Sequence, residues 1–174
     1  MGTIELIQEI EKAFDGVEWS STSLRQFVLT DKFGLTRDIT VNEWNQAGKS
    51  RVDTKWQEIP DSEIDDCNCM LAHMEANEFR YFLPAYLRFS VKNYQKSIWE
   101  TYIIGSVVYS LYPTSKNPDL YIYKVKQLSL LNNAQKIAAV SFLKFVATLA
   151  GYVQRPNAEK ALERYWQKNI PINL

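Results

Sequence analysis

The chain has 174 residues, with 46% hydrophobic, 23% charged and 13% aromatic side chains. That length suits one domain burying about two thirds of its extended-chain surface, and the composition excludes a disordered or fibrous chain. The formal net charge is zero, so no global field favours nucleic acid or an anionic membrane as partner.

Charge is nonetheless unevenly placed. Eight acids lie between Asp53 and Glu78 against Lys55 alone, and eight lysines and arginines follow Tyr121 against Glu159 and Glu163. A solvated mixed surface explains this most simply. The start, MGTIELIQEIEKAF, has no basic segment and mixes acids with apolar residues, unlike a signal peptide. The most apolar run, 137–150, is about fourteen residues long and contains Lys144, too short to span a bilayer. Cys67 and Cys69, the two cysteines, imply no disulfide framework. A soluble, cytoplasmic protein is expected.

In chain order, Ile4, Ile7, Ile10, Phe14 and Val17 recur at helical spacing behind Thr3, with Asp15-Gly16 as the stop. Ser23 opens a second helix through LRQFVLTDKF, which Gly34 ends. Residues 35–60 lose the pattern and read as a long irregular connection, in which TRDITVNEW suits a short strand or loop. Asp61 caps a third helix expected to reach Met74. Leu83 precedes proline, which predicts an extended or irregular 79–83 and a helix that begins at Pro84 and runs to about Gln95. Arg88, Lys92 and Gln95 fall on a face of that helix apart from the apolar Leu87, Val91 and Tyr94.

Ser97 and Glu100 have capping-box spacing ahead of IWETYIIGSVVYSLY. Stretches 98–112 and 120–128 suit helix or strand, the former for its β-branched content. Asn132 and Gln135 open a helix over 133–150, apolar nearly all round and expected at the centre of the bundle, with Gly151 as its end. Asn157 caps a last helix that turns Ala158, Ala161, Leu162, Tyr165 and Trp166 inward. The fold class is therefore all-α: one helical domain over 1–174 around a central hydrophobic helix, with room for one or two short strands.

Several chemistries fail on residue type and spacing. The AGKS at 47–50 resembles the end of a phosphate-binding loop, but Glu43 stands where such a loop wants glycine, so a polar turn is expected. Cys67 and Cys69 are too close for a zinc pair and would point about 200° apart on a helix, and His73 is the sole histidine. No metal or cofactor is expected, and His73 is read as a polar partner at a helix end. Nucleophilic catalysis would have to use that same histidine without a supporting signature. The acids of 61–66 suit a helix's first turn, where the dipole favours them.

Trp44 and Trp56 flank the irregular connection, where they pin it to the core or wall a site. Arg80 lies amid Tyr81 and Tyr86, a planar donor fork suited to a carboxylate or phosphate. It equally suits an internal acid from 58–78, which is the expected partner because a buried arginine is normally paired.

FRYFLPAYLRF, with WQEIP before it and LLNNAQKIAAVSFLKF and AEKALERYW after it, is similar to a bacterial, largely cyanobacterial family without an assigned function. Trp56, Ile59, Pro60, Phe79, Arg80, Leu83, Pro84, Ala85, Tyr86, Gln135, Phe142 and Leu143 carry the resemblance, over roughly 50–166. The resemblance implies no catalytic residues. The leading expectation is a non-enzymatic interaction or regulatory protein whose partner is another protein or a second copy. The alternative is a small anionic-ligand binder, or an unrecognised enzyme, with Arg80, Tyr81, Tyr86, Trp56 and Trp44 as candidate contacts.

Overall fold

The computed structural model describes residues 2–114 and 116–170. Its helices are α1 (Thr3–Ala13), α2 (Leu24–Phe33), α3 (Val41–Lys49), α4 (Asp61–Asp66), α5 (Ala76–Lys92), α6 (Ile103–Ser110), α7 (Pro118–Ser129), α8 (Asn133–Thr148), α9 (Arg155–Ala161) and α10 (Gln167–Asn169). Among the described residues there is no strand, so the fold is all-α. The stretches left open between helix and strand are α6 and α7. Ile103, Ile104, Val107, Val108 and Leu111, all buried, keep the three- and four-residue spacing of one helical face.

The centre of the bundle is α5, not the expected 133–150. Thirteen residues of α5 are buried, from Ala76 to Val91, and α1, α4, α6, α7 and α8 all pack on it. By contrast, α8 leaves Ile137 half exposed and Lys144 in solvent. Apolar composition all round did not separate the two, because α5 hides its polar atoms by hydrogen bonding rather than by lacking them.

The expected break before Pro84 is also absent: α5 runs through the proline. An interior proline removes one backbone bond, here to the Arg80 carbonyl, and costs about 3 kcal/mol. Phe79, Tyr81, Phe82 and Leu83 are each fully buried in helical register. At about 1.5–3 kcal/mol per buried large side chain, their burial outweighs the proline.

Four other expectations change. Thr40 and Glu43 form a capping box that opens α3 inside the supposed irregular connection, with Glu43 Oε2 accepting from the Thr40 amide at 3.0 Å. Arg37, then Thr40, hold the Glu43 carboxyl down to about 2. The third helix stops at Asp66, and Cys69 enters the left-handed region (φ 64°) before a 3-10 turn over Met70–His73. Ser97 and Glu100 bond to each other as expected, but they close a turn, and α6 starts at Ile103. The helix start at Ser23, the capping box at Asn132 and the glycine stops at 16 and 151 stand where the sequence places them. The last helix starts at Arg155 rather than Asn157; after α9 a π-turn over Leu162–Trp166 swings Trp166 inward, its indole donating to the Leu111 carbonyl at 2.7 Å.

Arg88, expected on an outer face, is 8% exposed. It donates to the carbonyls of Gln57 and Ile59 at 3.0 and 2.9 Å and lies over the Trp56 ring. It thereby fastens the 3-10 turn over Trp56–Glu58 to α5. Arg88→Met keeps the aliphatic stem but leaves both carbonyls without their donor. It should lower unfolding free energy by about 1.5–3 kcal/mol, read as a lower urea midpoint at an unchanged slope.

Candidate functional site

Beyond the Gly16 turn, residues 17–22 run as a loop, fixed from below by a chain of hydrogen bonds. Arg51 and Asp53 form an ion pair at 2.6 Å with side chains only 8% and 10% exposed. Tyr81 of α5 donates its hydroxyl to Asp53 Oδ2 at 2.6 Å. Arg51 in turn donates to the carbonyls of Ser20 and Thr22 and stacks on the Trp19 ring, 4.1 Å from its centroid. The Trp19 indole donates to the Asp53 carbonyl at 3.3 Å. Burial, then the bond to Asp53, raises the Tyr81 pKa, so the phenol stays protonated as donor. A buried ion pair survives where extra hydrogen bonds satisfy its remaining atoms, and here Tyr81 and the two carbonyls do so.

The loop so held forms one wall of a cleft of about 290 Å³; Asn77, Glu78 and Arg80 of α5 form the other. Arg80 is half-buried. It donates through Nε to Gln135 Oε1 at 3.2 Å, the oxygen that also accepts from the Asn132 amide in the α8 capping box. Among the described residues no carboxylate pairs with it, so the expected internal acid is absent. Glu78 lines the same cleft without an ion pair among the described residues, and four other acids of 58–78 take other cations: Arg25 bridges Glu63 and Asp66, Lys92 meets Asp61, and Lys126 meets Glu75. Helical geometry explains why. Arg80 points toward α8 and the 17–21 loop, while those acids lie on α4 and at the opening of α5.

Of the other candidates, Tyr81 lies directly behind the cleft as the support of Asp53. Tyr86 is fully buried and donates to the Cys67 carbonyl. Trp56 is 1% exposed, its indole donating to the Phe14 carbonyl at 2.9 Å, so it pins chain to core. Trp44 is half-buried on α3, where its carbonyl accepts from Gln26 at 3.1 Å. The structure therefore brings Arg80 and Tyr81 to one place and leaves Tyr86, Trp56 and Trp44 elsewhere. Sequence reading missed Glu18, Trp19, Asn77 and Glu78. The available signal was VEWSS directly after a left-handed glycine, a turn that exposes a tryptophan and an acid together.

The set-aside motifs also find places. AGKS ends α3 rather than opening a helix, the reverse of a phosphate-binding loop. His73 contacts Asp31 at 2.9 Å. Burial, then Glu63, pushes the Cys67 thiol up to about 12, so it is a packed neutral thiol and no nucleophile.

Over residues 3–170 the chain matches a family of unknown function (DUF6714), and it belongs to that family. No curated protein and no solved structure matches it. Among the described residues, no helix is long and apolar enough to cross a membrane.

Tyr81→Phe removes the bond that fixes Asp53 while keeping the ring. It should cost about 1.5–3 kcal/mol, the range for a hydrogen bond to a charged group. Amide exchange of Ser20, Ser21 and Thr22 should speed up more than that of α8, a contrast read by hydrogen-exchange mass spectrometry.

Proposed function

We propose that this protein is a non-enzymatic, cytoplasmic binder of a small anionic ligand, which Arg80 holds in the cleft between residues 17–21 and α5. The observation that carries the reading is an arginine that lines a metabolite-sized cleft with no carboxylate upon it. A guanidinium has five donors in a fixed fork, and Gln135 takes only Nε. The terminal nitrogens are left for a carboxylate or phosphate, the geometry that bidentate recognition needs. Anchoring through Gln135 keeps the fork from swinging away, so less side-chain entropy is lost on binding. A bacterial, largely cyanobacterial distribution and the Arg-aromatic-x-Leu-Pro-Ala-Tyr-Leu pattern at 80–87 as the family's mark are part of this proposal.

A second reading, a regulatory protein working through contact with another protein or a second copy, has its own support. Trp99 is 91% exposed beside Ile98 and Tyr102, at 39% and 54%. Tryptophan is enriched at the centres of protein interfaces, and among the described residues this one has no hydrogen bond or ring contact. Sedimentation velocity of the wild type and Trp99→Ala over a concentration series checks the self-association branch; a monomer at every concentration speaks against it.

For the leading reading, a thermal-shift screen of inorganic phosphate and of mono- and dicarboxylates is the direct check. A ligand at 100 times its Kd adds about 2.7 kcal/mol. For a chain of this size that raises the melting temperature by roughly 5–10 °C. Arg80→Gln should melt near the wild-type temperature without ligand and lose the ligand-induced shift. A panel that moves neither protein contradicts the reading.

A further inference from the structure

The cleft carries both signs of charge, and they do not neutralise each other. Glu18 and Glu78 line it with Arg80, yet among the described residues neither acid forms an ion pair or donor contact with that arginine. Glu78 is the more informative of the two. Its Oε2 is closed off from solvent and has no hydrogen-bond partner. A carboxylate oxygen hidden from water without a donor is destabilising. Of the three buried side-chain atoms on α5 that lack a partner among the described residues, with Arg88 Nε and Ser90 Oγ, it is the one whose residue lines the cleft.

A simple anion on Arg80 binds with two carboxylates in the same small space, and so more weakly than a ligand that also satisfies them. A simple cation beside Glu78 would meet the guanidinium. Only a molecule with both ends satisfies both walls. The exposed part of Trp19, on the opposite wall, provides an apolar face for the spacer between those ends. At about 290 Å³ the cleft sits at the lower end of the range for small-molecule sites and is too small for a folded partner.

We infer that the ligand is a small zwitterion of the amino-carboxylate class, its carboxylate on the Arg80 fork and its ammonium donating to Glu78 and facing Glu18. This inference rests on the anion-binding role of Arg80 and adds the second half of the ligand. The two acids then act as a filter, since a plain carboxylate of the same length binds against their repulsion. Arg80 sets affinity for the carboxylate, and Glu78 sets the preference for a molecule that also carries an ammonium.

Isothermal titration of the full chain with glycine, β-alanine and γ-aminobutyrate, each beside its matched carboxylate and its matched amine, tests this. At least one amino acid should bind tenfold or more tighter than its matched carboxylate and its matched amine. In Glu78→Gln that preference should collapse while the carboxylate binds as well as before or better. In Arg80→Gln both should be lost. Equal affinity for an amino acid and its matched carboxylate overturns the zwitterion and leaves the anion reading standing. A matched amine that binds best and is indifferent to Arg80→Gln overturns both. Silence from every compound overturns the zwitterion, and the phosphate and dicarboxylate screen then decides the anion reading by itself. The wild-type comparison needs no variant, so a misfolded substitution cannot obscure the result.

Discussion

Asp53 accepts from Arg51 and from the Tyr81 hydroxyl in surroundings that leave the pair almost dry, and three segments distant in sequence meet there. Arg51 and Asp53 come from the connection after α3, Tyr81 from the central helix, and Ser20 and Thr22 from the loop after α1. Removing one member of a buried pair strands the other charge, which is far costlier than losing a surface bridge. The cleft wall is therefore only as firm as this cluster. Its position relative to Arg80 follows from helical geometry, because Tyr81 and Arg80 are successive residues of α5, about 100° apart, one turned to Asp53 and the other to Gln135.

The same helix explains most of the fold. With burial on nearly every side, α5 satisfies most of its long polar side chains by reaching outward, and leaves Glu78 Oε2, Arg88 Nε and Ser90 Oγ without a partner among the described residues. Tyr86 takes the Cys67 carbonyl, Arg88 takes those of Gln57 and Ile59, and Arg80 takes Gln135. The bonds of Tyr86 and Arg88 tie down chain with little regular structure of its own, and that of Arg80 fixes the start of α8. The 35–60 region is orderly for this reason despite lacking a long apolar period.

Much of the helical plan was legible in local signals. Capping residues at Ser23 and Asn132, glycine stops at 16 and 151, and the apolar face of α9 depend on neighbours within a turn or two, whereas the face expected for α1 is shifted, with Leu6 buried and Ile4 exposed. What was hidden depended on distant contacts. Pro84 reads locally as a helix start, and only the burial of Phe79–Leu83 against other helices reverses that. Arg88 reads as a surface residue until the carbonyls that need it arrive from thirty residues away. Arg80 was legible as the residue to watch, but its partner was not, since Gln135 lies 55 positions along the chain. Thr40 and Glu43 are the exception: their spacing is a plain capping box and was readable.

Membership of a family of unknown function brings no chemistry with it, so the claim about function rests on one arginine and what it faces. Amide and guanidinium chemical shifts during a titration with inorganic phosphate test that claim most directly. Saturable shifts confined to the Arg80 side chain and the amides of residues 17–21 and 77–80 are the expected result. Shifts centred on Trp99, or scattered over the lysines without saturation, would contradict a ligand cleft at Arg80.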